Sequence, residues 1–237
     1  MAKERRKVIQ AGSLWMAVQY TNIRQENQTA RREARSQIST PARESLNART
    51  SWQKLMLLLA ANFKSTDLVV TLTYRDGNLP IHREAADRRL TAFIRAFRAA
   101  RSAAGAPLKY IRVTEGYHSD GRLHHHLIIN STGTDFESIR KLWSKNGDNI
   151  NYELFGRDGA ERWGKYLTKE PREQGRRHVG DRSWRASIHM TKPTVSSGYA
   201  NDDLQPPPGA FVLEKTECQN SYGKFCHLVA RLPETKN

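Results

Sequence analysis

Cysteine is scarce: Cys218 and Cys226 are the two in 237 residues, with seven residues between them. That excludes a disulfide scaffold, and no C-x-x-C pair is present to hold a structural zinc. Both are expected to be reduced thiols in a reducing compartment. Long apolar runs are missing too. The longest, Leu55 to Ala61, falls far short of the roughly 20 residues that a membrane-crossing helix needs. No apolar stretch of signal-peptide type follows the basic N-terminal residues. The expectation is a soluble, cytoplasmic protein without membrane contact. Negative charge is also in short supply, with 24 Asp and Glu against 39 Lys and Arg, a formal net charge of +15. Such an excess points to a polyanionic partner, because each neutralised phosphate releases condensed counterions. The plain alternative is a solubility surface.

Apolar residues make up 38% of the chain, enough for one core with segments left outside it. Residues 1–54 hold 11 Lys and Arg against 4 Asp and Glu, and apolar periodicity there is poor. Helical pieces or an arm are expected, with Ser51 capping a helix from Trp52 to Phe63. Leu68 to Tyr74 is β-branched and aromatic and runs into Asp76-Gly77-Asn78, which reads as a buried strand and a turn. Leu90, Phe93, Ile94 and Phe97 then form one stripe of a helix over His82 to Ala104, ended by Gly105 and Pro107. Strands follow at 109–114 and 122–130, joined by a hairpin turn at 118–121. A helix at 136–143, a strand at 149–155 and a helix at 160–169 complete the pattern.

The order β-α-β-β-α-β-α is that of a split βαβ, ferredoxin-like fold: class α+β, with an antiparallel sheet. Past residue 171 the chain turns basic and irregular, and Gln205-Pro-Pro-Pro-Gly209 breaks any regular element. The division expected is a basic arm or helical extension at 1–54, a catalytic domain at 55–171 and a Pro-interrupted extension at 172–237.

Chemistry concentrates in Gly121 to Asn130. Side chains alternate along a strand, so His124 and His126 share a face and His125 takes the other. Two imidazoles at i and i+2 can reach one divalent cation. Glu115, nine residues earlier across the hairpin, can add a carboxylate if register and facing agree. Two nitrogens, one oxygen and open positions suit a catalytic metal. The alternative is three hydrogen-bonded core histidines.

Tyr166 and Lys169 lie at i and i+3 of the last helix, so both can act on one substrate atom. A phenol with an ordinary pKa of about 10 needs help to act as a nucleophile near neutrality. Lys169 would favour the phenolate. The competing role for Trp163, Tyr166 and Leu167 is a core stripe. Gly159 to Lys165 has the spacing of a phosphate-binding loop. Tyr166 stands where a magnesium-binding Ser or Thr is required, and the residues between the glycines are bulky, so that reading is rejected. Without any other nucleotide-binding loop, ATP-driven unwinding is not expected. Arg172, Arg176, Arg177, Arg182 and Arg185, with Trp184 among them, suit a single-strand groove that pairs phosphates and stacks a base. A solvated charged face is the other reading.

In this order, Val70 to Tyr74, His124-His125-His126 and Tyr166-Leu-Thr-Lys169 resemble the three motifs of the HUH endonuclease superfamily. The similarity is to single-tyrosine rolling-circle replication initiators of phage and plasmid type, and it spans about residues 68–170. The middle residue, His125, replaces the usual bulky hydrophobe. The resemblance implies Mg²⁺ or Mn²⁺ held by Glu115, His124 and His126, with Tyr166 attacking single-stranded origin DNA to leave a 5′-phosphotyrosyl link. It also implies a bacterial host cell whose helicase and polymerase act as partners. A related transposase or relaxase is one alternative, although single-tyrosine transposases resemble chains with glutamine where Glu170 stands here. A non-catalytic single-strand DNA or RNA-binding module is the other. A non-haem iron oxygenase also fits two His and a carboxylate, but the charge disfavours it.

Overall fold

The computed structural model describes residues 3–21, 41–116, 122–168, 184–220 and 223–233. In chain order the elements are β1 (Glu4–Ala11), β2 (Leu14–Thr21), α1 (Pro41–Asn62), β3 (Leu68–Thr73), a 3-10 turn (Asp76–Asn78) and α2 (Arg83–Ala103). Then come β4 (Tyr110–Glu115), β5 (His124–Ile129), α3 (Asp135–Trp143), β6 (Ile150–Leu154) and α4 (Gly159–Tyr166). Short β7 (Arg185–Ala186), β8 (Thr194–Ala200), β9 (Phe211–Asn220) and β10 (Gly223–Arg231) finish the chain. Two compact units result, residues 39–190 and residues 1–38 with 191–237. The class is α+β.

In the unit of residues 39–190 the sheet order is β6-β3-β5-β4-β7, with every pair antiparallel. The four strands β3 to β6 take the order of a split βαβ sheet. One face carries Leu68, Val70, Leu72, Leu127 and Ile129, and packs on the expected stripe of α2 and on Ile139 and Trp143 of α3. Arg101 on α2 and Asp135 on α3 form a buried ion pair at 2.7 Å. The arginine also donates to the carbonyl oxygens of Ala106 and Asn130 (both 3.0 Å), so the buried charge is fully partnered. The opposite face bears Thr71, Val113, His126 and Ile128, with α4 above His126 and α1 packed on α4.

Three expectations need correcting. The helix over residues 52–63 begins at Pro41, which places Ser51 inside α1 and not at its cap. Residues 4–21 are two strands, where helical pieces were expected. Residues 194–231 hold three more strands, where an irregular tail was expected. Together they build the second unit, a sheet of order β8-β1-β2-β10-β9. Gly12 at φ 56° supplies the left-handed residue of the tight β1–β2 turn. Ala17, Cys226, Leu228 and Ala230 on one face close over Leu204 to make its core. β2 owes its burial to β10, about 200 residues away, and local periodicity carries no trace of such a partner. The expected hairpin turn at 118–121 lies outside the described residues. Among the described residues, no helix is long and apolar enough to cross a membrane.

Candidate active site

Register decides the site. β5 lies between β3 and β4, so His124 faces Glu115 directly across the ladder and His126 faces Thr71 and Val113. Directly opposed residues share a face. Glu115, His124 and His126 therefore converge, as their spacing required. His124 Nε2 and His126 Nε2 are 3.1 Å apart, and Glu115 Oε2 lies 3.7 and 3.4 Å from them. Ligands about 2.0–2.2 Å from one cation stand roughly 3–3.7 Å from each other. The three donors fit one divalent ion.

Hydrogen bonds aim the imidazoles. His124 Nδ1 lies 2.7 Å from the Arg122 carbonyl oxygen, which can only accept, so Nδ1 carries hydrogen and the Nε2 lone pair is free. His126 Nδ1 meets Thr71 Oγ1 at 3.1 Å. Thr71 is a residue that motif reading passed over as a strand former. Thr71→Val should lower Mn²⁺ affinity roughly 10–100-fold through loss of this outer partner. Calorimetric titration that returns the wild-type affinity would contradict the role.

His125 is fully buried on the α2/α3 face. Its Nε2 lies 2.7 Å from Tyr74 Oη and its Nδ1 2.9 Å from Thr114 Oγ1, which lies 3.3 Å from Asp87 Oδ1. A carboxylate at the far end fixes the direction: Tyr74 donates to His125, His125 to Thr114, Thr114 to Asp87. Burial first, then Arg112 and the flanking histidines, holds the His125 pKa down at about 3. The folded state therefore keeps it neutral, while the unfolded chain protonates it near pH 6.5. Its contribution to stability is full above that pH and is lost as pH falls from about 6.5 toward 3, by about 2 kcal/mol at pH 5. Denaturant titrations at pH 7.5 and pH 5 should show this acid sensitivity reduced in His125→Gln. Equal losses in wild type and variant would exclude His125 as its source.

Tyr166, in the last turn of α4, sets its ring edge-on to His126 with centroids 5.4 Å apart. It is 44% exposed, so the phenol is not sealed in packing. Burial, then Glu115 and Glu153, raises its pKa above the usual phenol value. Gly164 allows this placement: a Cβ there would stand 3.1 Å from Met56 Cβ on α1. The glycines of the rejected phosphate-loop spacing thus belong to a helix that presses on its neighbour.

Residues 67–171 match a family model described as a replication-associated protein of the ORF2 kind. This stretch is similar to replication-associated proteins. No curated protein and no solved structure matches the chain.

The other sequence-predicted residues are placed differently. Trp184 is half-buried, and its indole N–H donates to Ser51 Oγ on α1 at 3.3 Å. Arg185 pairs with Arg112 across the ladder and approaches Asp87 at 3.8 Å, on the α2 face, away from the trio. Lys169, Arg172, Arg176, Arg177 and Arg182 lie outside the described residues.

Proposed function

We propose that this chain initiates replication by nicking and rejoining single-stranded DNA at an origin, as a single-tyrosine HUH endonuclease does. The observation that carries the reading is Tyr166 standing beside His126, on the same sheet face as the Glu115, His124 and His126 cluster. The match of residues 67–171 to replication-associated proteins supplies the biological setting. The middle of that sheet face offers Thr71 and His126 in place of the stacking aromatics that a non-catalytic RNA-binding sheet would use.

Glu115, His124 and His126 are the residues that would hold Mg²⁺ or Mn²⁺, whose chemistry is Lewis-acid stabilisation of charge on the phosphate oxygens. Tyr166 Oη attacks the scissile phosphorus in line. The Tyr–O–P bond forms and the P–O3′ bond breaks. The phenolic proton passes to solvent, and the departing O3′ is protonated to a free 3′-hydroxyl that a polymerase can extend. Rejoining is the reverse attack by a 3′-hydroxyl on the phosphotyrosyl bond, and it needs no ATP. Lys169 favours the phenolate and the charged transition state. Arg172, Arg176, Arg177, Arg182 and Arg185, with Trp184, serve as contacts to the strand, and a host helicase supplies unwinding.

The test is incubation with end-labelled single-stranded origin DNA and Mn²⁺, followed by denaturing electrophoresis. A covalent adduct mapped by mass spectrometry to Tyr166 is expected. Cleavage without any protein-linked strand would remove the tyrosine mechanism.

A further inference from the structure

The sheet of residues 1–38 and 191–237 carries a row of side chains that nicking does not use. Across the ladder, Tyr199 on β8 opposes Arg5 on β1, Arg5 opposes Tyr20 on β2, Tyr20 opposes Phe225 on β10, and Phe225 opposes Cys218 on β9. Residues opposed in this way share one face, so three aromatic rings and an arginine line up across the strands. They are open to solvent: Tyr199 is 65% exposed, Tyr20 39% and Phe225 37%. Strands lie about 4.8 Å apart, so the rings span about 14 Å from Tyr199 to Phe225. Lys3 and Arg5 sit 5.5 and 5.6 Å from the Tyr199 ring centre.

Charge is segregated between the two faces. The next row on this face runs through Ser197, Lys7, Val18, His227 and Thr216, so neither row contains a carboxylate. Glu4 bonds Gln19, and Arg6 bonds Asp202, on the opposite face. Large exposed aromatics are costly to leave in water unless a partner covers them. The partner that fits rings, cations and no acid is a polyanion with exposed aromatic faces.

We propose that this row is a second binding surface for single-stranded DNA, separate from the tyrosine and metal-ligand cluster. Tyr199, Tyr20 and Phe225 stack on unpaired bases, while Lys3, Arg5 and Lys7 meet the phosphates. Duplex DNA hides its base faces and gains only the phosphate contacts. Stacking on aromatic side chains is sequence-tolerant, so the surface holds the strand without reading it. DNA, in preference to RNA, follows from the likeness of residues 67–171 to replication-associated proteins.

The test uses the full chain in EDTA, so that metal-dependent contacts do not contribute, with anisotropy of a labelled mixed-sequence oligodeoxynucleotide. Alanine at Tyr20, Tyr199 or Phe225 should weaken binding by about fivefold to a hundredfold each. Tyr20→Phe and Tyr199→Phe keep the ring and should keep the affinity, which separates stacking from a folding defect. Arg5→Ala should flatten the slope of log K against log salt by about 0.7. Wild-type affinity in the triple alanine variant would overturn the proposal. So would equal affinity for duplex, a preference for RNA of the same sequence, or self-association of the chain that those substitutions abolish while DNA affinity stays unchanged. Adduct formation at Tyr166 is scored separately: its failure bears on the nicking reading alone, and unchanged DNA affinity in EDTA bears on this one alone.

Discussion

Replacing Tyr166 with phenylalanine is expected to abolish the covalent protein–DNA adduct and to cut strand nicking by roughly a thousandfold or more. The substitution removes one oxygen and keeps the ring. The edge-on packing against His126 and the 5.6 Å contact with Trp163 persist, so the fold and the metal-ligand cluster are preserved. Loss of activity in a variant that still binds Mn²⁺ and DNA then reports the nucleophile itself. The pH dependence follows from the same group. Burial, Glu115 and Glu153 raise the phenol's pKa, so the reactive phenolate is a minor species near neutrality and grows with pH. Nicking at saturating metal should therefore rise steadily from neutral to alkaline pH. A rate that falls over that range, or a phenylalanine variant that still forms the adduct, removes Tyr166 from the chemistry.

The second large effect belongs to the metal ligands. His126→Ala removes a ligand from the middle of the cluster, and Glu115→Gln keeps the shape of the carboxylate while removing its charge. Each should weaken Mn²⁺ binding more than Thr71→Val does, because a direct donor is lost and not its outer partner. Charge stabilisation by a bound cation is worth several kcal/mol, so nicking should fall about a hundredfold to a thousandfold in either variant. Chelation of the wild-type protein should have the same effect, reversed by added Mn²⁺. Gln at 115 has a further consequence: it takes away one of the charges that raise the Tyr166 pKa, so the pH profile of the residual activity should shift toward lower pH. Wild-type nicking in EDTA would leave the cluster as three hydrogen-bonded side chains without catalytic use.

Much of the central fold was legible because its signals are local. The stripe of Leu90, Phe93, Ile94 and Phe97 marks one helix face whatever packs on it, and all four are buried in α2. β-branched residues at 68–73 sit two-sided in the middle of a sheet, between β5 and β6. The site was legible as spacing: two histidines at i and i+2 must share a face of any strand. Glu115 was a conditional member, since its place depended on a register that the two strands alone do not specify. The Glu115–His124 pairing settled it.

The remainder was hidden because its partners are distant in sequence. Lys7 to Gln10 looks weakly patterned when read alone. Its strand acquires a buried face only when β2 and β8 flank it and β10 continues the sheet, with the closing contacts contributed by residues past 200. Gly164 could be read as part of a phosphate loop until α1 was seen to press against it.

Composition and spacing by themselves determined the polyanion-seeking charge, the order of strands and helices from 68 to 166, and the opposed facing of His125 and its two neighbours. These follow from chain chemistry and from a strand's two-residue period. Tertiary structure alone decided that Glu115 faces the imidazoles, that α4 delivers Tyr166 to the edge of His126, and that the two ends of the chain join in a sheet bearing an aromatic row. Each of these depends on which backbone pairs with which, and pairing is set by the whole core, not by any one segment.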